Sequence, residues 1–336
     1  MRDIVSVGGG FQAAVKLRGG VSRLRSLSAR RYPDIALSVH VGTGTETETW
    51  GYELRFTQNN QRVPILTKEV VTRQGKTILN RPDPDDRRDP ERLTQTFLEQ
   101  VNANSKFREV ANFFASIRYQ HLVPQLVREP DRSTGKVDDP YGGDFLEQIA
   151  KVPDRTRQAR LRRIRDALKV AVPQLGELEF WRGERGTPHL RGKYEHWRPT
   201  GAWQMEDQFS DGTLRLLGLL WATLDRAGPL LLEEPELSLH PAVVVFIPQL
   251  FARVQGRLGR QILMSTHSTD LLSDTGIGLD EVLLLQPRTG GTEVAPASTL
   301  RDARVLLEEG LPLSDAVMPH TRPEKADQLA LFGEGI

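Results

Sequence analysis

Two adjacent carboxylates, Glu233 and Glu234, close the apolar run Leu230-Leu231-Leu232, and Pro235 follows at once. Downstream, His267 follows Gln261 to Thr266, which reads as a second buried strand. Upstream, Phe209-Ser210-Asp211-Gly212-Thr213 opens a long apolar segment. A hydrophobic strand ending in two acids is the Walker B arrangement. Nucleotide hydrolysis needs one carboxylate to hold Mg2+, usually through water, and a second to polarise the attacking water. Neighbouring side chains on a strand point to opposite faces, and the turn at Pro235 lets the two acids serve different partners. A histidine at the end of an adjacent strand can hydrogen-bond a γ-phosphate and help position the water. Ser and Gly at a helix N-terminus leave backbone N–H groups and the positive end of the helix dipole free for an anion. Taken singly, the acids would only solvate a strand end, His267 would be an ordinary hydrogen-bonded histidine, and Ser-Asp-Gly-Thr a plain helix cap. Their spacing together carries the reading.

The elements that must position these groups are legible nearby. Ser210 can cap a helix whose interior runs from Leu214 to Arg226 and which Gly228-Pro229 ends. That helix is apolar nearly all round, so it should be deeply packed. Pro241 suits the first position of a helix whose apolar face is Val244, Ile247, Leu250, Phe251 and Val254, and Pro248 should kink it. A strand, this helix and a second strand form a β-α-β unit, whose crossover makes the strands parallel. Glu233, Glu234 and His267 then stand at one edge of the sheet, where open α/β sheets bind ligands.

The rest of the chain frames this region. Tyr52, Leu54 and Phe56 alternate with Glu53 and Arg55, and residues 35–79 read as antiparallel β. Asn59-Asn60 marks a turn, and Arg73-Gln74-Gly75-Lys76 a tight hairpin between Glu69–Thr72 and Thr77–Leu79. Helical patterns follow at Leu93–Val101, Phe107–Ser116 and Phe145–Val172, with a polar loop from Arg128 to Gly143. Short strands are expected at Glu177–Trp181 and His189–Tyr194. Four regions result: 1–80, mainly antiparallel β; 81–200, a helical insertion or lid with short strands; 201–300, the core; and 301–336, a C-terminal tail. Net charge is +1 over 336 residues and there is no cysteine, so neither disulfides nor thiolate metal sites are available. No apolar run approaches the roughly 18–20 residues that span a bilayer, and no signal core opens the chain. The expectation is a soluble, cytoplasmic protein.

With these motifs in place, the chain resembles the RecF/SMC/OLD-like branch of ABC-type ATPases, in particular the AAA-labelled, RecF-like bacterial ATPases. The residues that carry the resemblance are FSDGT, LLLEEPE, LSLHP and STHS, within about 205–290. It implies an α/β fold: an ABC-type ATPase core on a mostly parallel sheet, with an antiparallel β subdomain and a helical insertion. It implies ATP and Mg2+ as ligands and a homodimer that sandwiches nucleotide. On this resemblance Ser210, Asp211 and Gly212 are signature residues contacting the γ-phosphate bound to the opposite subunit. Glu233 serves Mg2+, where many relatives have Asp, and Glu234 is the catalytic base. Leu237 to His240 form the loop across the dimer interface, His267 is the switch histidine, and Gln120 is the candidate Q-loop glutamine.

One required feature is missing from these residues. The family pattern GxxxxGK[ST] has no match. Gly75-Lys76-Thr77 lies in a hairpin and Val70 stands where the first Gly belongs, while Gly8-Gly9-Gly10 lacks a following GK. KLRGGVSRLRS at 16–26 resembles the stretch that follows the P-loop helix in relatives. Lys16, Arg18, Arg23, Arg25, Arg30 and Arg31 make residues 4–33 basic and free of acid. Either the P-loop is encoded upstream, or this is a degenerate subunit and a catalytically inactive scaffold. The resemblance further implies a role in DNA repair or in defence against phage and plasmids, with a separate nuclease or Toprim-like effector. An arginine stripe (Arg155, Arg157, Arg160, Arg162, Arg163, Arg165) is either a phosphate-backbone contact or a solvated helix face. Asp83 and Asp85 read as solvation of a charged loop.

Overall fold

The computed structural model describes residues 1–26, 29, 33–43, 46–130, 138–195, 202–225, 228–323 and 325–331. Arg30, Arg31 and Arg226 of the sequence reading lie outside them. The chain divides into two compact units: Met1–Ile117 with Pro287–Thr292, and Arg118–Gln286 with Glu293–Ile336.

The first unit begins with short helices α1 (Arg2–Val5), α2 (Phe11–Leu17) and α3 (Val21–Leu24). Strands β1 (Ile35–Thr43), β2 (Glu46–Gln58), β3 (Pro64–Arg73) and β4 (Lys76–Arg81) then form an antiparallel sheet in sequence order. The period-2 reading holds: Tyr52, Leu54 and Phe56 are buried, and Phe11 of α2 packs edge-on against Phe56. The β3–β4 hairpin turns at Gln74 and Gly75, both at positive φ (48° and 74°), as a tight primed turn requires. Helix α4 (Pro84–Arg88) starts at Asp83, which caps it with Asp86, so the Asp-x-Asp of the sequence is a helix start. Helix α5 (Arg108–Ser116) is the last helix of this unit.

The expected helix over Leu93–Val101 does not form. Pro90–Thr94 is a 3-10 turn. The reason is a buried ionic network that takes up its backbone groups. Arg81 is fully buried between Glu69 and Asp86, at 2.9 Å from each. Its guanidinium also donates to the carbonyls of Gln95 and Arg92. Glu69 in turn accepts from the N–H groups of Phe97 and Leu98 and from the Tyr52 hydroxyl.

The second unit carries β5 (Arg118–Gln120), α6 (Pro124–Arg128), α7 (Phe145–Lys151) and α8 (Asp154–Leu168). The expected helix Phe145–Val172 is thus two helices, separated at Val152-Pro153, where the chain is extended. Proline disfavours the helical conformation of the residue before it. An antiparallel sheet follows: β6 (Leu175–Arg182), β7 (Pro188–Tyr194) and β8 (Ala202–Met205). Then come α9 (Asp211–Leu224), β9 (Leu230–Glu233), α10 (Pro241–Val244), α11 (Ile247–Leu258) and β10 (Ile262–Ser265). Pro248 does not kink a helix. It sits in the first turn of α11 after a break, where its missing N–H costs nothing.

Helix α9 is the centre of this unit's main core. Leu214, Leu216, Leu217, Leu219, Leu220 and Trp221 are all buried, covering every side of the helix as its composition demanded. Arg260 anchors its far end, donating to the carbonyls of Ala222, Asp225 and Gly228. Beyond β10, β11 (Leu283–Arg288) and β12 (Gly291–Pro296) form a two-stranded sheet, and α12 (Arg301–Glu308) and α13 (Leu313–Val317) follow. Ala303, Leu313, Ala316 and Val317 are buried in a separate cluster with Leu272 and Leu284. Residues 301–317 of the stretch read as a tail are therefore packed structure. No described helix is long and apolar enough to cross a membrane.

Candidate active site

Strands β5, β9 and β10 pair in parallel, with β9 in the middle. Ser265 is level with Glu233, and Gln120 with Leu232. The three strands therefore end together. Gln120, Glu233 and the turn that carries His267 share one sheet edge, although they are far apart in sequence. Helix α9 approaches this edge closely at Gly218. A Cβ there would lie 2.3 Å from the Leu122 side chain and 3.2 Å from the Gln120 amide nitrogen.

The two acids part company at the strand end. Glu233 is the last residue of β9 and is exposed. One of its carboxylate oxygens accepts from the Tyr119 hydroxyl, and its carbonyl oxygen lies 3.3 Å from His121 Nδ1. Burial, the bond to Glu233 and that carboxylate's charge push the pKa of the Tyr119 phenol well above its ordinary value, so it remains a donor. Glu234 leaves the strand in the left-handed region, at φ 41°. Its N–H still donates to the Ser265 carbonyl at 3.0 Å. For a non-glycine residue this conformation costs roughly 1–2 kcal/mol, and it turns Glu234 away from Glu233's course.

A third acid, Glu236, is buried and holds the histidine turn. It accepts from the Thr266 hydroxyl, and Thr266 Oγ1 accepts from the Ser268 N–H at 2.9 Å. His267 lies between these two anchored residues and is itself exposed. Arg215, one turn into α9, has a guanidinium that burial draws below its ordinary value, while Asp211 and Glu234 pull it back up. Its Nε is buried without a partner among the described residues.

The start of α9 is built as the sequence indicated. Ser210 Oγ accepts from the Thr213 N–H at 3.1 Å. Arg128 braces this start, donating to the Phe209 carbonyl and pairing with Asp211, each at 2.6 Å. Gly212 packs on the loop that follows the acids, in the same chain. In that loop Ser238 has φ 62°, and His240 caps α10 by accepting from the Ala242 N–H. Sequence reasoning passed over Tyr119, Arg128, Arg215, Glu236 and Thr266. Only Glu236 and Thr266 had a signal, since both lie inside the motifs.

The donor set at this edge fits Mg2+. Glu233 presents a hard carboxylate oxygen and Gln120 an amide. Among the described residues no three His, Asp or Glu side chains converge. A cation here would take most of its ligands from phosphate oxygens and water, which is how Mg2+ is ordinarily held.

The family model described as "AAA domain, putative AbiEii toxin, Type IV TA system" matches residues 1–274. The chain belongs to this family. It is thus a member of an AAA-type ATPase family, in keeping with the RecF/SMC-like resemblance, and nucleotide binding is the family's common property. Comparison with curated proteins gives no match. Among solved structures, the chain is similar to an SmcHead bound to the C-winged helix domain of ScpA, at 13% identity over 83% of each chain and a TM-score of 0.38. It is also similar to the SMC head domain from Thermotoga maritima, at 13% identity over 77% of this chain and 78% of that one, with a TM-score of 0.34. A third is the Smc head with an extended coiled coil, bound to the C-terminal domain of ScpA, from Pyrococcus furiosus. That match has 12% identity, covers 80% and 82%, and scores 0.38.

Proposed function

We infer that this chain is the ATP-binding and ATP-hydrolysing subunit of a nucleotide-driven dimeric switch. The observation that carries the reading is the shared edge of β5, β9 and β10, where Gln120, Glu233, Glu234 and the His267 turn come together. Glu233 and Gln120 would hold the cation that bridges the nucleotide phosphates. Glu234, set off the strand by its left-handed turn, would polarise the attacking water. His267 would donate to the γ-phosphate, with Glu236 and Thr266 fixing its turn. Ser210 and Gly212 would meet the nucleotide of a second copy, because the N-terminus of α9 is a second anion site. The family's description as a putative toxin of a Type IV TA system agrees with a role in defence against phage or plasmids, and DNA repair is the other setting of such switches. A separate effector, nuclease or Toprim-like, would carry the damaging chemistry, and DNA would be the signal.

The phosphate-cradling GxxxxGK[ST] loop is not among these residues, and the alternative reading is an inactive scaffold. The deciding experiment compares ATP turnover by this chain with turnover by a version that also carries such a loop. The switch reading expects negligible turnover from the first. It expects turnover from the second that Glu234→Gln abolishes, leaving an ATP-bound dimer in light scattering. A loop-bearing protein that binds no ATP would establish the scaffold reading.

A further inference from the structure

The second unit carries a groove of about 650 Å³ away from the strand edge, formed by α8, α9 and α11. Its floor is Leu220 and Leu224 of α9, and its walls are Ile164 of α8 with Leu250 and Val254 of α11. The turns of α11 place Leu250, Val254 and Leu258 on one line along the groove, at helical i, i+4, i+8 spacing. Leu258 is 41% exposed. This is a continuous apolar trough, partly open to solvent at Leu250, Val254 and Leu258.

The rim of the groove has one sign of charge. Arg160 and Arg163 stand on the α8 side, and Arg253 and Arg257 on the α11 side. None of the four has an ion-pair partner among the described residues, although Arg160 lies over the Trp221 ring at 5.2 Å. Helix α11 contains no acid at all. Three other arginines of the α8 stripe are engaged: Arg157 with Asp154 and the carbonyls of Ala150 and Val152, Arg165 with Asp166, and Arg162 with the Gln158 carbonyl. The stripe is therefore not a uniform cationic face. Two of its unpaired members, Arg160 and Arg163, line the groove.

We propose that this groove is a docking site for an acidic amphipathic helix of another protein. An apolar trough between two helices takes the apolar face of a third, read as anchors at i, i+3, i+4 and i+7. Arginines on both banks then require acids flanking those anchors. Complementarity of this kind sets which partner is accepted and how fast it arrives. A phosphate backbone would satisfy the arginines but leave the leucine floor against a charged chain. Helix α8, at 15 residues, spans about 22 Å, so three to four turns of a partner helix have room. The proposal is independent of nucleotide turnover.

The probe is a fluorescein-labelled helical peptide with leucines at i, i+4 and i+7 flanked by glutamates, compared with the same peptide flanked by lysines. Fluorescence anisotropy with the full chain should show the glutamate peptide binding at least roughly tenfold more tightly. The double variant Arg253→Glu/Arg257→Glu, at two exposed positions, should abolish that preference while circular dichroism stays unchanged. Equal binding of both peptides, no binding of either, or a preference untouched by the double variant would overturn the proposal. So would a duplex DNA oligonucleotide that binds the parent chain and is lost with the same variant, which would make the face a nucleic-acid surface. A self-association of the parent chain that the variant abolishes in light scattering would instead make it an interface between copies.

Discussion

Gly212 sits against the backbone of Ser238: a Cβ added at Gly212 would lie 2.6 Å from the Ser238 carbonyl oxygen. The start of α9 and the loop beyond the acid pair are thus locked together within one chain. Gly212→Ala should cost about 1–3 kcal/mol, the range for overpacking against atoms that cannot yield. Ser210→Ala should cost about 1 kcal/mol through the lost cap. Urea titration measures both. An unchanged midpoint in Gly212→Ala would mean that the two segments are not in contact in solution. A charged residue at 212 would disturb its own chain first, so it is a poor test of a contact between subunits.

Glu234 separates chemistry from backbone strain. In a version with a phosphate-binding loop, Glu234→Gln should retain ATP and lose turnover by at least about a hundredfold, the lower bound for losing a positioned base. Glu234→Gly should also abolish turnover, yet stabilise the fold by about 1 kcal/mol because glycine adopts positive φ freely. Thermal unfolding beside an ATPase assay reads both effects. Destabilisation by glycine would show that the Glu234 side chain has a structural role.

Arg260 is 5% exposed and donates to three carbonyls at the end of α9 and beyond it. Arg260→Met keeps the apolar stem and removes every donor, so it should cost about 2–3 kcal/mol. Arg260→Lys should recover only part, since an ammonium cannot reproduce the planar fork. Equal midpoints for Lys and Arg would show that charge alone matters here.

The Arg81 network predicts a pH dependence. Burial pushes the Asp86 carboxyl up, but the bond from Arg81 and the Asp83 N–H outweigh it and hold Asp86 below its ordinary value. A depressed folded-state value contributes stability above the unfolded value, about 3.9, and that contribution disappears as pH falls through the folded value. Asp86→Asn should therefore cost about 3–5 kcal/mol at neutral pH, as for a broken buried pair. The gap to the parent chain should narrow below about pH 3.9. Denaturant titrations across that range test it. A gap independent of pH would assign the loss to shape rather than charge.

The candidate site was readable because strand ends, a helix cap and a β-α-β crossover are local events. Ser210, Pro241 and the run Leu230–Leu232 each signal their element within a few residues, and parallel pairing then places Glu233 and His267 at one edge. Tyr119 gave no such signal, because its bond to Glu233 joins residues on different strands. The helices expected at 93–101 and across Pro153 failed for two different reasons. Glu69 and Arg81, remote in sequence, claimed the backbone groups of the first. Proline's local stiffness divided the second, a signal that the apolar periodicity had masked.

By itself the sequence determined the family, the alternating strands of the first sheet and the order of chemistry-bearing groups. Each depends on residue type at short, regular spacing, which the backbone's own periodicities convert into faces and ends. Only the tertiary structure decided which charges are free. Arg157 and Arg165 are tied down while Arg163, on the same helix, is not, and Glu236 serves a threonine in the turn beyond β10. Pairing of polar groups is settled by whatever folding brings within hydrogen-bond reach, and no local pattern in the chain records that distance.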